Sequence, residues 1–415
     1  MHRNSCLQAC KGSAKVAVLD TIHGAEVIAR KMVDLGIDAQ AFEVYHSNPC
    51  LEDFDLVVCP VHLGPGINAM SAASRLKKKI ITHHQAVGEL VKPNIPVFEV
   101  TGTHSKTSTA LLLGRILSGG RKIVSHTTRG VELWSGGSSS MLCSGLSIAP
   151  GNVILAAQAA QDIEADALVC EVSLGGTGIA DFGILTSFEG DYRIAQGSMW
   201  ATTAKLQMIS LAKPSLRLIA NLNTKISSDI SFGPASYVGA TRDKLQIGST
   251  SVELEIGEDL DFPEYQTALS AAAASGHMAG LKIEEIAEML EGFDGFSGRM
   301  KVQREGTLTI YDHSNSGLKI SDIARALDRV AGGRLGLVVG EEAATVCEGL
   351  DIAGAIDLLR LRQDEIDLLI LVGERLLPWA QEIGAKTAPN LAAGQSLARR
   401  AQELDRLLLC VKCFR

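Results

Sequence analysis

From Lys15 onward, apolar runs of strand length alternate with segments of helical period. A chain patterned this way buries its strands on both faces by laying helices over a largely parallel sheet. Between Lys15 and Lys92 the strand-like runs are VAVLD, AQAFEVY, LVVCP and KKIIT, and AEVIARKMVDLG supplies a helix after the first. KPNIP follows; its two prolines exclude helix, and it reads as a linker. A larger block from Val97 to about Phe296 holds LVCEVS, FGILTS, LRLIANLN and an Ala-rich helix from Ala268 to Gly280. A third opens near Gly298, with TLTIYD, LGLVVG and LLILVG as strands. The predicted organisation is an α/β chain with a leader over 1–14 and domains over 15–94, 95–297 and 298–415.

Apolar residues make up 46% of the 415-residue chain and charged residues 21%, a globular balance. A net charge of −8 argues against non-specific binding to nucleic acid or an acidic membrane. No apolar run reaches transmembrane length, and MHRNSCLQACKGSAK has no apolar centre of a secretory signal, so it reads as a loose leader. The nine cysteines are scattered, two of them (Cys59, Cys170) in strand-like runs, which favours a reducing cytoplasm over a disulfide scaffold. The closing CVKC is half of a metal-ligand pattern and reads as an ordinary tail.

The stretch EVTGTHSKTSTALLLGRIL passes from strand to small-residue loop to helix, with Lys106 and Thr107 at the helix mouth. A Walker loop reads G-x-x-x-x-G-K-[ST]; here Val100 and Ser105 stand at the two glycine positions. Helix N-termini present unpaired N–H groups and a partial positive charge, which suit a phosphate. Gly102, Thr103, His104, Ser105, Lys106, Thr107 and Ser108 would then cradle a nucleotide, with Lys106 reaching its β- and γ-phosphates and the Thr107 hydroxyl on Mg²⁺. A capped helix with an exposed lysine explains the same residues.

The rest of the chain resembles the Mur ligase family, which joins a carboxylate to an amine at the expense of ATP. That family's loop reads G-T-x-G-K-[ST]-[ST], so GTHSKTS departs from it only at Ser105. VCEVSLGG resembles its strand ending in a metal-side glutamate, which implies that Glu171 joins Thr107 as a Mg²⁺ ligand. ILTSFEGDYRIAQGSMWATTAKLQMI resembles its T-N-I-x-x-D-H-L-D-x-H-G-S…A-K run, placing Asp191, Gly197, Ser198 and Lys205 in register. Several members carry a carbamylated lysine at the position of Lys205, supporting a second metal. YQTALSAAAA resembles the adenine-side helix and puts Thr267 at the base. FSGRM and TLTIYDHSNSG resemble the domain-closing G-R and the following strand, which implies that Arg299 clamps the γ-phosphate and Asp312 orients the ribose or the interdomain contact. The resemblance implies ATP and Mg²⁺ as cofactors. It also implies a three-domain fold: a small Rossmann-like N-terminal domain, a central P-loop ATPase domain and a Rossmann-like C-terminal domain. Three positions depart from the pattern: Tyr192 replaces a metal-binding histidine, Thr267 an asparagine and Asn315 a histidine.

The first domain bears on the substrate. Its opening turn, VLDTIHGAEVIAR, lacks the glycine-rich pattern with which relatives hold UDP-sugars. Asp20 and His23 there, His62 in CPVHLGPG, and His83 and His84 in ITHHQAVGEL fall at the ends of successive strands, where parallel sheets bind ligands. Histidines gathered there suit an anion or a metal-bearing ligand. The DTIHG opening resembles a branch of the family that closes the last carbocyclic ring of a nickel tetrapyrrole, a small-molecule polycarboxylate. Catalysis would rest on Lys106, Glu171, Asp191, Lys205 and Arg299. An amide-forming ligase with an amino-acid acceptor and a non-catalytic nucleotide-binding module fit the same motifs; retention of Arg299 speaks against the second.

Overall fold

The computed structural model describes residues 7, 14–342, 349–401 and 403–414. Apart from Leu7 and Ala14 the expected leader lies outside the described residues, as do Cys6, Cys10 and Cys347. The chain is α/β throughout. It divides into two compact units: Met1–Leu254 with Gln266–Leu290, and Glu255–Tyr265 with Glu291–Arg415. Among the described residues no helix is long and apolar enough to cross a membrane.

The first unit opens with strands Lys15–Leu19 (β1), Asp38–Phe42 (β2), Leu56–Cys59 (β3) and Lys79–Thr82 (β4). They form a parallel sheet in the order β2-β1-β3-β4. Helices Ala25–Asp34 (α1), Asn68–Arg75 (α2) and His83–Leu90 (α3) follow β1, β3 and β4. The side-chain period of two sends Val16 and Val18 to one face, with Ile28 and Met32 of α1, and Ala17 and Leu19 to the other, with Ala69 and Ala73 of α2.

The same unit holds an eleven-stranded sheet. Its strands are Val97–Thr101 (β5), Ile123–Thr127 (β6), Gly130–Ser135 (β7), Ser138–Ser144 (β8), Ala167–Glu171 (β9) and Phe182–Leu185 (β10), then, beyond a short hairpin of Arg193–Ile194 (β11) and Met199–Trp200 (β12), Arg217–Asn221 (β13), Ile230–Phe232 (β14), Val238–Ala240 (β15), Lys244–Ile247 (β16) and Thr250–Glu253 (β17). The order is β17-β16-β15-β14-β13-β10-β5-β9-β6-β7-β8. The strands from β15 to β6 run parallel, and antiparallel hairpins extend both edges. Helices Lys106–Leu117 (α4) and Asn152–Asp162 (α5) cover the parallel strands. Val97, Val153, Leu168 and Cys170 belong to the same apolar cluster as Val16, Ile28 and Met32, so the two sheets share one core.

In the second unit, Lys301–Glu305 (β18), Leu308–Asp312 (β19), Leu335–Glu341 (β20), Leu368–Val372 (β21), Lys386–Ala388 (β22) and Arg406–Lys412 (β23) form a sheet in the order β18-β19-β23-β20-β21-β22, parallel except at β18. This corrects the expectation for CVKC. Cys410 lies in a central strand with Leu408 on its face, and Cys413 is buried against the opposite face, so the stretch is core rather than tail. Neither thiol has a metal-ligand set among the described residues.

The two sheets of the first unit meet at close backbone contacts, one of which leaves no space for a side chain. A Cβ on Gly88 of α3 would lie 2.1 Å from the Thr177 carbonyl oxygen, and one on Gly24 would lie 3.3 Å from the Gly151 Cα. Gly88→Ala therefore opposes two effects. Helix propensity favours alanine by about 1 kcal/mol, whereas overpacking against backbone costs about 1–3 kcal/mol. We expect a net loss in urea unfolding; a stabilised variant would show that α3 does not sit this close to Thr177.

Candidate functional site

The phosphate-type loop leaves the centre of the large sheet. At Gly102 the backbone has φ 152°, and a Cβ would lie 2.1 Å from Thr186 Oγ1. The loop is strapped to the end of β10: the Thr103 N–H donates to the Ser187 carbonyl at 2.8 Å, and Thr186 Oγ1 donates to the His104 carbonyl at 2.6 Å. Ser105 precedes α4 with φ 62° and ψ 5°, the left-handed conformation that a glycine adopts freely. The Walker conformation is thus kept without the Walker residue, at a cost on the order of 1 kcal/mol in backbone strain.

Three groups converge at the mouth of α4. Glu171 ends β9, which pairs with β5 in register Val100↔Glu171, and its side chain is buried. Thr107 Oγ1 donates to Glu171 Oε2 at 2.7 Å, and Lys106 Nζ lies 3.9 Å from Oε1. A hydroxyl and a carboxylate this close offer the hard oxygen donors that Mg²⁺ takes, and the helix N-terminus with Lys106 offers the cationic side of an anion site. The residues present fit both.

Asp191 and Lys205 sit on the following segment. Asp191 Oδ1 accepts from the backbone N–H of Tyr192 and of Thr202, each at 2.9 Å, and so caps helix Ala201–Lys205 (α6). Lys205, which by itself reads as a surface residue, is 1% exposed, with Nζ 5.0 Å from the centroid of the Tyr192 ring. Gly197 takes a positive φ in the β11–β12 turn, and Ser198 Oγ donates to the Ala195 carbonyl. Thr267 is half-buried in helix Phe262–Met278. Its neighbour Gln266 lines a cavity of about 430 Å³ with Gly233, Ser236, Thr241 and Lys244.

In the second unit, Asp312 ends β19 and fixes the turn that carries Arg299. Its Oδ2 accepts from the Gly298 N–H at 3.0 Å and its Oδ1 from the Ser314 N–H at 3.2 Å. Asn315, at the family's histidine position, donates from Nδ2 to the Gly298 carbonyl at 3.1 Å.

The five substrate-side residues do not form one group. His23 Nδ1 lies 2.6 Å and His62 Nε2 3.5 Å from Asp20 Oδ2, and the Tyr45 hydroxyl donates to the same oxygen at 2.9 Å. Burial pushes the Asp20 carboxyl up, but the contacts from His23, His62 and Tyr45 outweigh it and hold it well below the usual carboxylate range. His83 and His84 are interior instead. His83 Nε2 donates to the Leu19 carbonyl at 3.0 Å and His84 Nε2 to the Ser173 carbonyl at 2.7 Å, and burial pushes them down to about 3 and about 4, so both are neutral. Gln207 Nε2 donates to His84 Nδ1 at 3.3 Å, which fits that tautomer. These two histidines bind backbone and are not presented to a ligand, contrary to the expectation from their place at a strand end.

Sequence reasoning missed Glu99. It lies inside β5 with no exposure and accepts from the Thr177 N–H at 2.9 Å and from the Thr177 hydroxyl, anchoring the loop that follows Glu171. A glutamate inside the apolar run PVFEV was the available signal.

Comparison with known proteins bears on these residues. Residues 302–413 match the family described as coenzyme F430 synthetase CfbE, C-terminal domain. Over 97% of its length the chain is 33% identical to the coenzyme F(430) synthetase of Methanosarcina acetivorans, covering 99% of that protein. Among solved structures it is similar to MurF from Acinetobacter baumannii (TM-score 0.56, 14% identity, 86% of this chain and 87% of that one). It is also similar to a bifunctional folylpolyglutamate synthase/dihydrofolate synthase from Yersinia pestis, complexed with AMPPNP and Mn ion (TM-score 0.55, 17% identity, 79% of this chain and 89% of that one).

Glu99 makes a test of the loop's foundation. Burial pushes its carboxyl up to about 7 against the opposing Thr177 hydrogen bonds. Below about 4.5 it is protonated folded or unfolded; between 4.5 and 7 only the folded form holds the proton, so its stability contribution is lost as pH rises through 7. Glu99→Gln is neutral throughout, so its stability relative to wild type should climb from pH 4 to pH 8. The gain is a few kcal/mol at most, since one pKa unit is about 1.4 kcal/mol. A difference that stays flat with pH in denaturant titrations would contradict this.

Proposed function

The chain belongs to the coenzyme F430 synthetase family, ATP-dependent ligases with the Mur ligase fold, and on that premise we propose that it activates a propionate carboxylate of a nickel seco-tetrapyrrole as an acyl phosphate and closes the carbocyclic ring that gives coenzyme F430. A carboxylate oxygen attacks the γ-phosphorus and ADP leaves. A carbon of the same macrocycle then attacks the acyl carbon, a C–C bond forms, phosphate leaves and the carbon gives up its proton. The convergence of Lys106, Thr107 and Glu171 beside a loop held in Walker conformation carries the ATP half of this reading. The full-length match carries the substrate half.

Residues 15–94 would hold the macrocycle, with Asp20, His23 and His62 at the carboxyl ends of β1 and β3; residues 95–297 would hold ATP; residues 298–415 would bring Arg299 and Asp312 to it. Backbone N–H groups of Gly102–Ser108 bind phosphate oxygens and Lys106 neutralises them. Thr107 and Glu171 would hold Mg²⁺, which when bound screens the charge that develops on the phosphates. Arg299, at the position of the family's domain-closing arginine, would clamp the γ-phosphate. Asp191 caps the segment that carries Lys205, where the resemblance implies support for a second metal, and Thr267 would lie on the adenine side.

Lys106→Ala should cut ADP release with nickel seco-tetrapyrrole roughly 100-fold or more, with the fold retained by circular dichroism and a melting temperature lowered by the loss of the cation beside Glu171. Glu171→Gln, which keeps shape and removes charge, should lose activity and its dependence on Mg²⁺ together. ADP release at the wild-type rate from the lysine variant removes the loop from the phosphate site. The products should be ADP and phosphate in equal amounts, because the carboxylate attacks the γ-phosphorus. AMP with pyrophosphate, or turnover only with an added amino acid, would replace this reading with an adenylating or an amide-forming one.

A further inference from the structure

We propose that Asp20, His23 and His62 form a binding site for a free divalent first-row transition ion such as Ni²⁺, Co²⁺ or Zn²⁺, separate from the Mg²⁺ position at Thr107 and Glu171. One donor atom from each of the three lies within 4.8 Å of the others. Asp20 Oδ2 is 2.6 Å from His23 Nδ1 and 3.5 Å from His62 Nε2. Donors bound at about 2.0–2.2 Å around one tetrahedral ion lie roughly 3.3 Å apart, so little movement converts the cluster into a ligand set. Two imidazoles with one carboxylate are the borderline donors that first-row ions prefer and that Mg²⁺ does not.

The cluster is not accounted for as a closed hydrogen-bond network. Asp20 has no exposed surface, yet its Oδ1 has no hydrogen-bond partner among the described residues. An unsatisfied buried carboxylate oxygen costs on the order of 1–3 kcal/mol, a cost that an ion removes when Asp20 binds it through both oxygens. The Asp20 backbone also sits at φ 79° and ψ 83°, a rare conformation for a residue with a side chain, held by its N–H to the Phe42 carbonyl at 2.7 Å. The histidines are accessible from outside, with side chains 24% and 27% exposed, and their rings meet edge to face at 4.4 Å.

The donor geometry separates two sources of the metal. Nickel inside a macrocycle offers only its axial positions and takes one imidazole from a given side. A free ion takes all three donors and keeps positions open for water or a substrate oxygen. Three convergent donors favour the free ion. The inference gives these three residues to a free ion instead of to the macrocycle itself, and it leaves the ATP chemistry proposed above untouched.

The intact protein is titrated with Co²⁺ without nucleotide, following the visible absorption bands of the bound ion, for wild type, His23→Ala and His62→Ala. Both histidines are partly exposed, and melting curves check that each variant folds. We expect one ion per chain, with affinity lowered about tenfold or more in each variant. Absence of binding to wild type, or an affinity unchanged in either variant, overturns the site. In a parallel arm, wild type and both variants are titrated with the nickel seco-tetrapyrrole, read by its own absorption. A spectral shift lost in only one histidine variant, with no Co²⁺ bound, would replace the free-ion site by axial ligation of the macrocycle. Loss of ATP turnover with intact Co²⁺ binding would strike the proposed function and leave this site standing.

Discussion

The hydrogen bond from Thr107 to Glu171 fixes the arrangement on which the rest of the site depends. It joins the first turn of α4 to the end of β9 across the loop that leaves β5, with Lys106 Nζ 3.9 Å from the same carboxylate. A buried carboxylate is costly unless it is paired and hydrogen-bonded, and Glu171 has both kinds of partner. The opposite neighbour of β5 holds the other flank of the loop: Thr186 and Ser187, at the end of β10, bond to Thr103 and His104. The loop is therefore gripped from both strands adjoining β5. The strand order β10-β5-β9 is what makes that grip possible. With both flanks tied, the chain has little choice but a left-handed residue at position 105, and serine supplies it at modest strain.

Much of this was legible because it is local. Continuous apolar runs marked the parallel strands, and the strand-loop-helix order marked the loop that opens α4. Glu171 could be picked out because a charged residue at the end of a buried run needs a partner. Other features depend on burial supplied by distant segments. Lys205 looks like a surface residue within a short helix, and only the packing of Tyr192 and the α6 segment encloses it. His83 and His84 fall at a strand end, where ligands bind, but their rings turn inward to the carbonyls of Leu19 and Ser173, the latter 89 residues away. CVKC closes the chain, yet the sheet of the second unit places its first cysteine in a central strand. The hairpins at the edges of the large sheet were also invisible: β8 reads SSSMLCS and is exposed throughout, so it carries no alternating pattern.

The departures from the family pattern are of two kinds. Ser105 and Asn315 preserve geometry: the first keeps the conformation of a glycine, and the second holds the Gly298 carbonyl so that the turn bearing Arg299 stays fixed to the end of β19. Tyr192 changes chemistry. Where the resemblance implies a metal-binding histidine, the structure puts an aromatic ring 5.0 Å from Lys205 Nζ. The face of an aromatic ring is negative and attracts a cation. It would repel the anionic carbamate that the same resemblance implies for a lysine at this position. A histidine that binds a second metal and a carbamylated lysine that supports it belong together, since each needs the ion. A tyrosine over the lysine side chain supplies no metal ligand toward it. Tyr192 is therefore the departure on this segment, and the structure sets its ring over the retained Lys205, which the segment capped by Asp191 carries. With its ring over the Lys205 side chain, Tyr192 closes the position at which the resemblance implies a histidine open to a metal.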